Sequence, residues 1–153
     1  MRTKSSSVKR KEFLLHELIT KNEFELFRVY YAKASFLEPL NIYGSSLIHV
    51  AVENDNHEIL RFLIDAKANL NHKNLASYTP LHTAILMGRT EAAIMLIKAG
   101  ANVFILDKYN LSPLYYAEQK QNAEIIDLIT RYNRLKIADP SIQFSNLTSQ
   151  NSR

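Results

Sequence analysis

The stretch Thr79-Pro80-Leu81-His82-Thr83-Ala84 decides the fold, because related phrases recur along the chain at a fixed interval. Four such phrases end 33 positions apart, at these residues: His16, His49, His82 and Tyr115. A column of acidic residues follows nine positions after each phrase: Glu25, Glu58, Glu91 and Glu124. A period of this length is typical of a stacked array, in which each repeat buries its apolar face against its neighbours. We therefore predict a repeat protein.

The composition of the 153-residue chain argues against several classes of protein. It contains no cysteine and three glycines, which excludes disulfides and thiolate metal sites and leaves little material for glycine-rich phosphate loops. No apolar run approaches the roughly 18–20 residues that a membrane span requires. The basic N-terminus is not followed by the apolar segment of a signal peptide. We expect a soluble protein of the cytoplasm, with nuclear entry or delivery into a host cell left open.

The net charge of +4 belongs to the N-terminal segment and not to the repeats. Residues 1–11 contain five basic residues and no acidic one, whereas the other 14 basic residues face 15 acidic ones. A basic tail can attract nucleic acid or an acidic surface. It can also be a solvated end that aids solubility, and we favour this interpretation. Nucleic acid is therefore not the expected partner.

Within one repeat the pattern predicts two short helices joined by a turn. Thr79 can cap a helix that accepts Pro80 in its first turn, and Gly88 can end that helix in the left-handed conformation. Glu91 favours the start of a second helix, which Gly100 ends. Apolar residues at helical spacing form the buried stripe of this second helix: Ala93, Leu96 and Ile97.

These residues resemble the ankyrin repeat, whose pattern reads D-x-x-G-x-T-P-L-H-x-A, then a Gly-His turn, E-V-V-x-L-L and G-A-D-V-N. The third copy matches at Thr79–Ala84, Glu91, Leu96-Ile97 and Ala99–Val103. The resemblance covers about residues 12–136. It implies an all-α fold, an ankyrin-repeat solenoid of stacked helix-turn-helix units with β-turn fingers. It also implies that the motif histidine hydrogen-bonds the motif itself and the turn of an adjoining repeat.

The repeat register predicts the organisation of the chain. Its segments are a basic flexible tail (1–11), a degenerate N-terminal repeat or cap (12–40), two full repeats (41–73 and 74–106), a C-terminal repeat or cap (107–136) and a disordered polar tail (137–153). The first copy is the most divergent. Its Tyr30 aligns with Leu63 and Leu96, so we expect that side chain to pack in the core.

No constellation of residues in the sequence predicts catalysis. The histidines of the repeated motif are one helix-packing distance of about 10 Å apart in a stack, too far to share one metal ion. The glutamate column is spread in the same way, and no nucleophile elbow, Walker loop or dinucleotide fingerprint is present. His57 and His72 lie outside the repeated column and are predicted to be isolated and exposed. We expect no enzyme, no catalytic residue, no cofactor and no metal.

The columns that the repeat does not need for packing predict where a partner binds. By the resemblance, ankyrin arrays bind through their turn tips and the concave face of their first helices. These positions carry apolar and aromatic side chains, and exposed clusters of that kind mark interaction surfaces. The predicted binding residues are Ile42, Tyr43, Leu75, Tyr78, Leu86, Met87, Tyr109 and Leu111.

Two functions remain open at this point. The favoured one is a monomeric, non-enzymatic adaptor or competitive inhibitor that binds a protein partner, with no small-molecule substrate and no membrane insertion. The alternative is a structural scaffold that the basic N-terminal arm tethers to nucleic acid or to an acidic surface. Salt dependence separates the two, because an interaction made by the arm weakens steeply with ionic strength.

Overall fold

A computed structural model of the chain describes residues 14–34, 39–138 and 140–141. Within these ranges eight helices follow one another: α1 (14–20), α2 (Phe24–Lys33), α3 (Leu47–Glu53), α4 (His57–Asp65), α5 (Pro80–Leu86), α6 (Thr90–Lys98), α7 (Pro113–Gln119) and α8 (Ala123–Ala138). No residue in these described ranges lies in a β-strand. The predicted tail at residues 1–11 lies outside the described residues.

The helices form two layers. α3, α5 and α7 contact one another in succession, and α4, α6 and α8 do the same beside them. The helix pairs of the second, third and fourth repeats also pack internally, since α3 contacts α4, α5 contacts α6 and α7 contacts α8. This arrangement confirms the predicted all-α ankyrin-repeat solenoid, in which a repeat is stable only against its neighbours.

Side-chain caps begin the helices at the positions that the repeat predicts. Thr79 and Ser112 precede α5 and α7, and their hydroxyl oxygens accept hydrogen bonds from the backbone N–H groups of His82 and Tyr115. Two of the second helices, α4 and α8, use an amide instead. Asn56 Oδ1 accepts from Ile59 N at 3.0 Å, and Asn122 Oδ1 accepts from Ile125 N at 3.2 Å. The residues before α2 and α6 form no side-chain cap. These caps satisfy N–H groups that have no partner within the helix.

The turn inside every repeat uses one left-handed residue at the same position. Gly88, with φ of 69°, is the residue expected from the sequence. The equivalent residues adopt the same conformation without being glycine: Asn22 at 57°, Asp55 at 55° and Gln121 at 54°. The backbone conformation at this position is therefore the same in all four repeats, although the residue type differs.

A column of small residues lets the first helices approach closely. Ala51, Ala84 and Ala117 are fully buried, at 0% exposure. The second helices contribute larger side chains to the same continuous core, among them Leu60, Leu63, Leu96, Ile97, Ile125 and Ile129.

The first repeat departs from the predicted register, and the prediction for Tyr30 is wrong. Its side chain is 40% exposed, although the aligned Leu63 and Leu96 are buried. Phe27 is the buried aromatic residue of α2 instead. An inner repeat has neighbours on both sides, whereas the first repeat has a neighbouring repeat on one side only within the described chain. The face that carries Tyr30 also exposes Leu26 and Val29.

An aromatic cluster joins this first repeat to the second. The ring of Phe62 from α4 stands edge-on to Phe24, Phe27 and Tyr31, with centroid distances of 5.9, 5.9 and 5.4 Å. Edge-to-face pairs of this geometry add to the energy of apolar burial. The bulky residues of α2 therefore take the place of the aliphatic stripe found in later repeats.

The last helix extends further than the repeat register predicts. α8 runs to Ala138, past residue 136, the predicted end of the fourth repeat. The sequence after Ala123 contains neither glycine nor proline before Pro140, so nothing local ends the helix earlier. Residues 139 and 142–153 of the predicted polar tail lie outside the described residues.

Candidate interaction surface at the fingers

Three turns precede the first helices of repeats two, three and four, and we call them fingers: residues 39–46, 72–79 and 105–112. A side-chain oxygen at the base organises each one. Asn41 Oδ1 accepts hydrogen bonds from the backbone N–H groups of Tyr43 and Ser45, at 2.9 and 3.0 Å. Asn74 does the same for Ala76 and Tyr78, both at 3.0 Å. These bonds fix the shape of the turn.

The third finger uses a carboxylate at the equivalent position. Asp107 Oδ1 accepts from Tyr109 N at 2.7 Å and from Leu111 N at 3.0 Å. The hydroxyl of Tyr116 donates to the other oxygen of Asp107. Desolvation opposes ionisation of Asp107, but these three hydrogen bonds outweigh it and hold its pKa below the usual value. The same hydrogen bond from its hydroxyl, together with burial, raises the pKa of Tyr116.

Two motif histidines, in α3 and α5, connect their helix to the next finger, as the resemblance implies. His49 Nδ1 accepts from Ser46 N at 3.2 Å, and its Nε2 lies 3.0 Å from the carbonyl oxygen of Tyr78. His82 repeats this geometry between Thr79 and the carbonyl of Leu111. Because the backbone N–H can only donate, Nδ1 must be the acceptor and Nε2 must carry the proton. The ring is therefore neutral.

Burial maintains this neutral form. Desolvation lowers the pKa of His49 to about 4, and the hydrogen bond to the Tyr78 carbonyl opposes this shift only in part. Desolvation also lowers the pKa of His82. These histidines hold the stack together, and their ring nitrogens are occupied.

The fingers are also joined directly to one another. Leu75 N donates to the carbonyl of Tyr43 at 3.0 Å, and His72 Nε2 lies 3.0 Å from the carbonyl of Gly44. Lys73 Nζ donates to the carbonyl of Leu106 at 2.7 Å. The prediction that His72 is isolated and exposed is therefore wrong. No repeated pattern indicates this contact, because the equivalent positions in other repeats are not histidine.

His57 was also predicted to be isolated, and the structure corrects this as well. Its Nε2 lies 3.3 Å from Asp55 Oδ1, on the turn before α4. Arg89 from the following repeat approaches the other oxygen of Asp55, at 3.4 Å. The two contacts place the His57 ring and the Arg89 guanidinium on either side of the Asp55 carboxylate, at the turn between helices.

The predicted binding residues separate into two groups. Four finger residues are well exposed: Ile42, Tyr43, Leu75 and Tyr109. Met87 is exposed as well, but it follows α5, about 10 Å along that helix from the finger. The remaining three are half-buried: Tyr78, Leu86 and Leu111. The Tyr78 ring packs against those of His82 and Tyr116, at centroid distances of 5.9 and 6.2 Å.

The structure adds residues to this surface that the prediction missed. Leu40, Lys73 and Leu106 are exposed at the base of the three fingers, and they share one column of the 33-residue period. That period was the signal that could have found them. We define the finger edge as the outward-facing positions of the three fingers: Leu40, Ile42, Tyr43, Lys73, Leu75, Ala76, Leu106, Lys108 and Tyr109.

Other kinds of site find little support in the described part of the chain. No group of three or more histidine, cysteine, aspartate or glutamate side chains there could hold a metal ion. No helix among the described residues is both long and apolar enough to span a bilayer.

Paired helices, fingers and histidine links repeated every 33 residues define a helical solenoid of interaction repeats. Comparison with protein families agrees. The family model described as "Ankyrin repeats (3 copies)" matches residues 9–107 and again residues 48–142. The chain belongs to the ankyrin repeat family. Among curated proteins, none matches the chain. Ankyrin repeats are generally protein–protein interaction modules, and the family is typically non-enzymatic.

Proposed function

We propose that this protein is a non-enzymatic adaptor or competitive inhibitor that binds a protein partner through its finger edge and the neighbouring concave helix face. It acts as a monomer in the cytoplasm and takes no small-molecule substrate. Its activity consists of occupying the partner's surface.

One observation carries the proposal: the fingers expose large apolar side chains to solvent. Ile42, Tyr43 and Leu75 are 84, 67 and 78% exposed. The fingers themselves are held by the inward-facing acceptors and by the motif histidines. Contiguous exposed apolar area with aromatic side chains is characteristic of binding surfaces.

The alternative function, a scaffold tethered by the basic arm, is supported by the charge of the N-terminal sequence alone. The arm supplies the excess positive charge, and it lies outside the described residues. We therefore retain it as a competing outcome of the experiment below.

The test is affinity capture from cell lysate with three versions of the protein. The wild type is compared with Tyr43→Ser/Leu75→Ser on the finger edge and with Tyr30→Ser/Leu26→Ser on the outer face of α2. Both double variants replace one exposed tyrosine and one exposed leucine by serine. Tyr78 is avoided because its ring packs against His82 and Tyr116. Circular dichroism melts establish that all three are folded.

We expect the wild type and the α2 variant to capture a protein from the lysate that the finger-edge variant does not capture. Retention by all three versions would contradict the proposal. If only the α2 variant failed to capture the protein, the interface would lie at the N-terminal end of the stack. If deletion of residues 1–11 or added salt removed all binding, the scaffold function would take its place.

A further inference from the structure

The finger edge has a regular layout that specifies the chemistry of its occupant. Its nine positions fall into three columns of the repeat, with one residue from each finger in every column. Six positions carry large apolar or aromatic side chains, one carries Ala76, and the other two carry Lys73 and Lys108. The two lysines lie in different columns and on different fingers, so cationic groups are set among apolar ones.

No carboxylate on the fingers balances these two charges at the surface. Residues 39–46, 72–79 and 105–112 are all described, and Asp107 is the one acidic residue among them. Its side chain is 4% exposed, and its oxygens accept from two backbone N–H groups and from the Tyr116 hydroxyl. The carboxylate therefore serves the turn and is closed to an incoming group.

Both ammonium groups keep hydrogen-bond donors for a ligand. Lys73 Nζ gives one bond to the Leu106 carbonyl, which leaves two of its N–H groups. Lys108 Nζ lies 4.9 Å from the centroid of the Tyr109 ring, a cation–π contact that leaves its N–H groups available. A carboxylate can accept from either lysine while an apolar neighbour packs on Leu75 or Tyr109.

The number of charges argues against a lipid or nucleic-acid surface. Recognition of anionic membranes uses clusters of about four to eight basic residues, and duplex-binding proteins commonly contact about six to ten phosphates. Two lysines among apolar side chains fall short of both. They suit a protein segment in which a few acidic residues alternate with apolar ones.

We propose that the finger edge binds a segment of a partner protein rich in both acidic and apolar residues, with carboxylates on Lys73 and Lys108. This inference rests on the proposed function and specifies its ligand. Because neighbouring fingers lie about 10 Å apart, the finger edge is about 20 Å long, which is the length of six or seven extended residues. The experiment therefore uses synthetic peptides of about twelve residues, which exceed this length.

Fluorescence anisotropy measures binding of three labelled peptides that differ in charge alone: Asp alternating with Leu and Phe, the same peptide with Asn in place of Asp, and the same peptide with Lys. The protein is the wild type, Lys73→Gln/Lys108→Gln, or the control Arg61→Gln/Lys98→Gln. Both double variants lose two positive charges, and glutamine keeps a polar N–H donor at residue 73. Arg61 and Lys98 are exposed on second helices and belong to none of the three fingers.

We expect the Asp peptide to bind the wild type and the control equally, and the finger-edge variant about fivefold more weakly, as for the loss of two exposed ion pairs. Added salt should weaken binding to the wild type more than to the finger-edge variant. Equal binding of the Asn peptide, equal affinity of both double variants, or no peptide binding would overturn the inference. So would displacement of the peptide by anionic vesicles that bind more tightly.

The capture experiment distinguishes failure of the acidic-segment inference from failure of the proposed function. If Tyr43→Ser/Leu75→Ser loses the captured protein while the acidic peptide binds no better than the Asn peptide, the finger edge is an interface without the proposed preference for acidic groups. If that variant keeps the captured protein, the proposed function itself is wrong.

Discussion

Adjacent residues in each finger have opposite surroundings. Asn74 turns inward and its side-chain oxygen accepts two backbone N–H groups, whereas Leu75, the next residue, is 78% exposed. The same alternation separates Asn41 from Ile42 and Asp107 from Lys108. The repeat fixes one set of columns to hold the stack and leaves another set free. Substitutions in the two sets should therefore act on different properties, stability for the first and binding for the second.

The largest effect is expected at the fixed histidine column. His49→Ala removes a buried ring, its bonds to Ser46 and its link to the Tyr78 carbonyl. We expect a loss of about 3 kcal/mol in the free energy of unfolding, measured by urea denaturation. The matched control is His72→Ala, which loses a half-buried ring with one bond to Gly44 and should cost about 1 kcal/mol. Equal costs would mean that the fixed column has no special role.

Acid should weaken the same column without any substitution. The folded-state pKa of His49, about 4, lies below its ordinary value of 6.5, so the unfolded chain binds more protons in this interval. The contribution of His49 is complete above the unfolded pKa and is lost as the pH falls toward the folded pKa. From about pH 7 to about pH 5 we expect the free energy of unfolding to fall by about 2 kcal/mol, with His82 acting in the same direction.

Glu53 opposes this trend, because burial raises its pKa. The unfolding measurements are therefore made in a Glu53→Gln background, which removes that contribution. Histidine ring resonances followed by NMR give the second readout. Stability that does not change over this interval, together with a His49 ring that titrates near its ordinary pKa, would show that the ring is not held neutral by burial.

The turn between helices offers a smaller test, in which backbone conformation is the fixed property. Gln121 and Gly88 occupy equivalent left-handed positions, and a Cβ added at Gly88 would meet no heavy atom within 4 Å. Only the backbone preference distinguishes the two residues. We expect Gln121→Gly to raise the free energy of unfolding by about 1 kcal/mol and Gly88→Gln to lower it by a similar amount. Changes of the same sign in thermal melts of the two variants would contradict this.

The repeated columns could be predicted from the sequence because each residue type occurs several times in the same role. The motif histidines, the small residues at Ala51 and Ala84, and the cap at Thr79 all follow from the period. At the base of the fingers only Asp107 matches the aspartate that begins the ankyrin pattern, since the other two copies have Asn41 and Asn74. Only the side-chain oxygen is common to these three residues.

End effects and cross-repeat contacts could not be predicted from the period. Tyr30 aligns with buried leucines, yet it belongs to a repeat with one described neighbour, and the alignment cannot represent that difference. His72 bonds to a carbonyl of the preceding finger, a contact that depends on how two repeats meet in space. The exposed finger residues were predicted as candidates, and their role in binding stays a prediction.

The most direct test of this division compares the two adjacent residues of the second finger. Urea unfolding gives the free energies of Asn74→Ala and Leu75→Ser beside the wild type. We expect Asn74→Ala to lose about 2 kcal/mol, since two backbone N–H groups lose their acceptor, and Leu75→Ser to stay within about 0.5 kcal/mol of the wild type. If Leu75→Ser were as destabilising as Asn74→Ala, the finger edge would be part of the fold and not a surface left free for a partner.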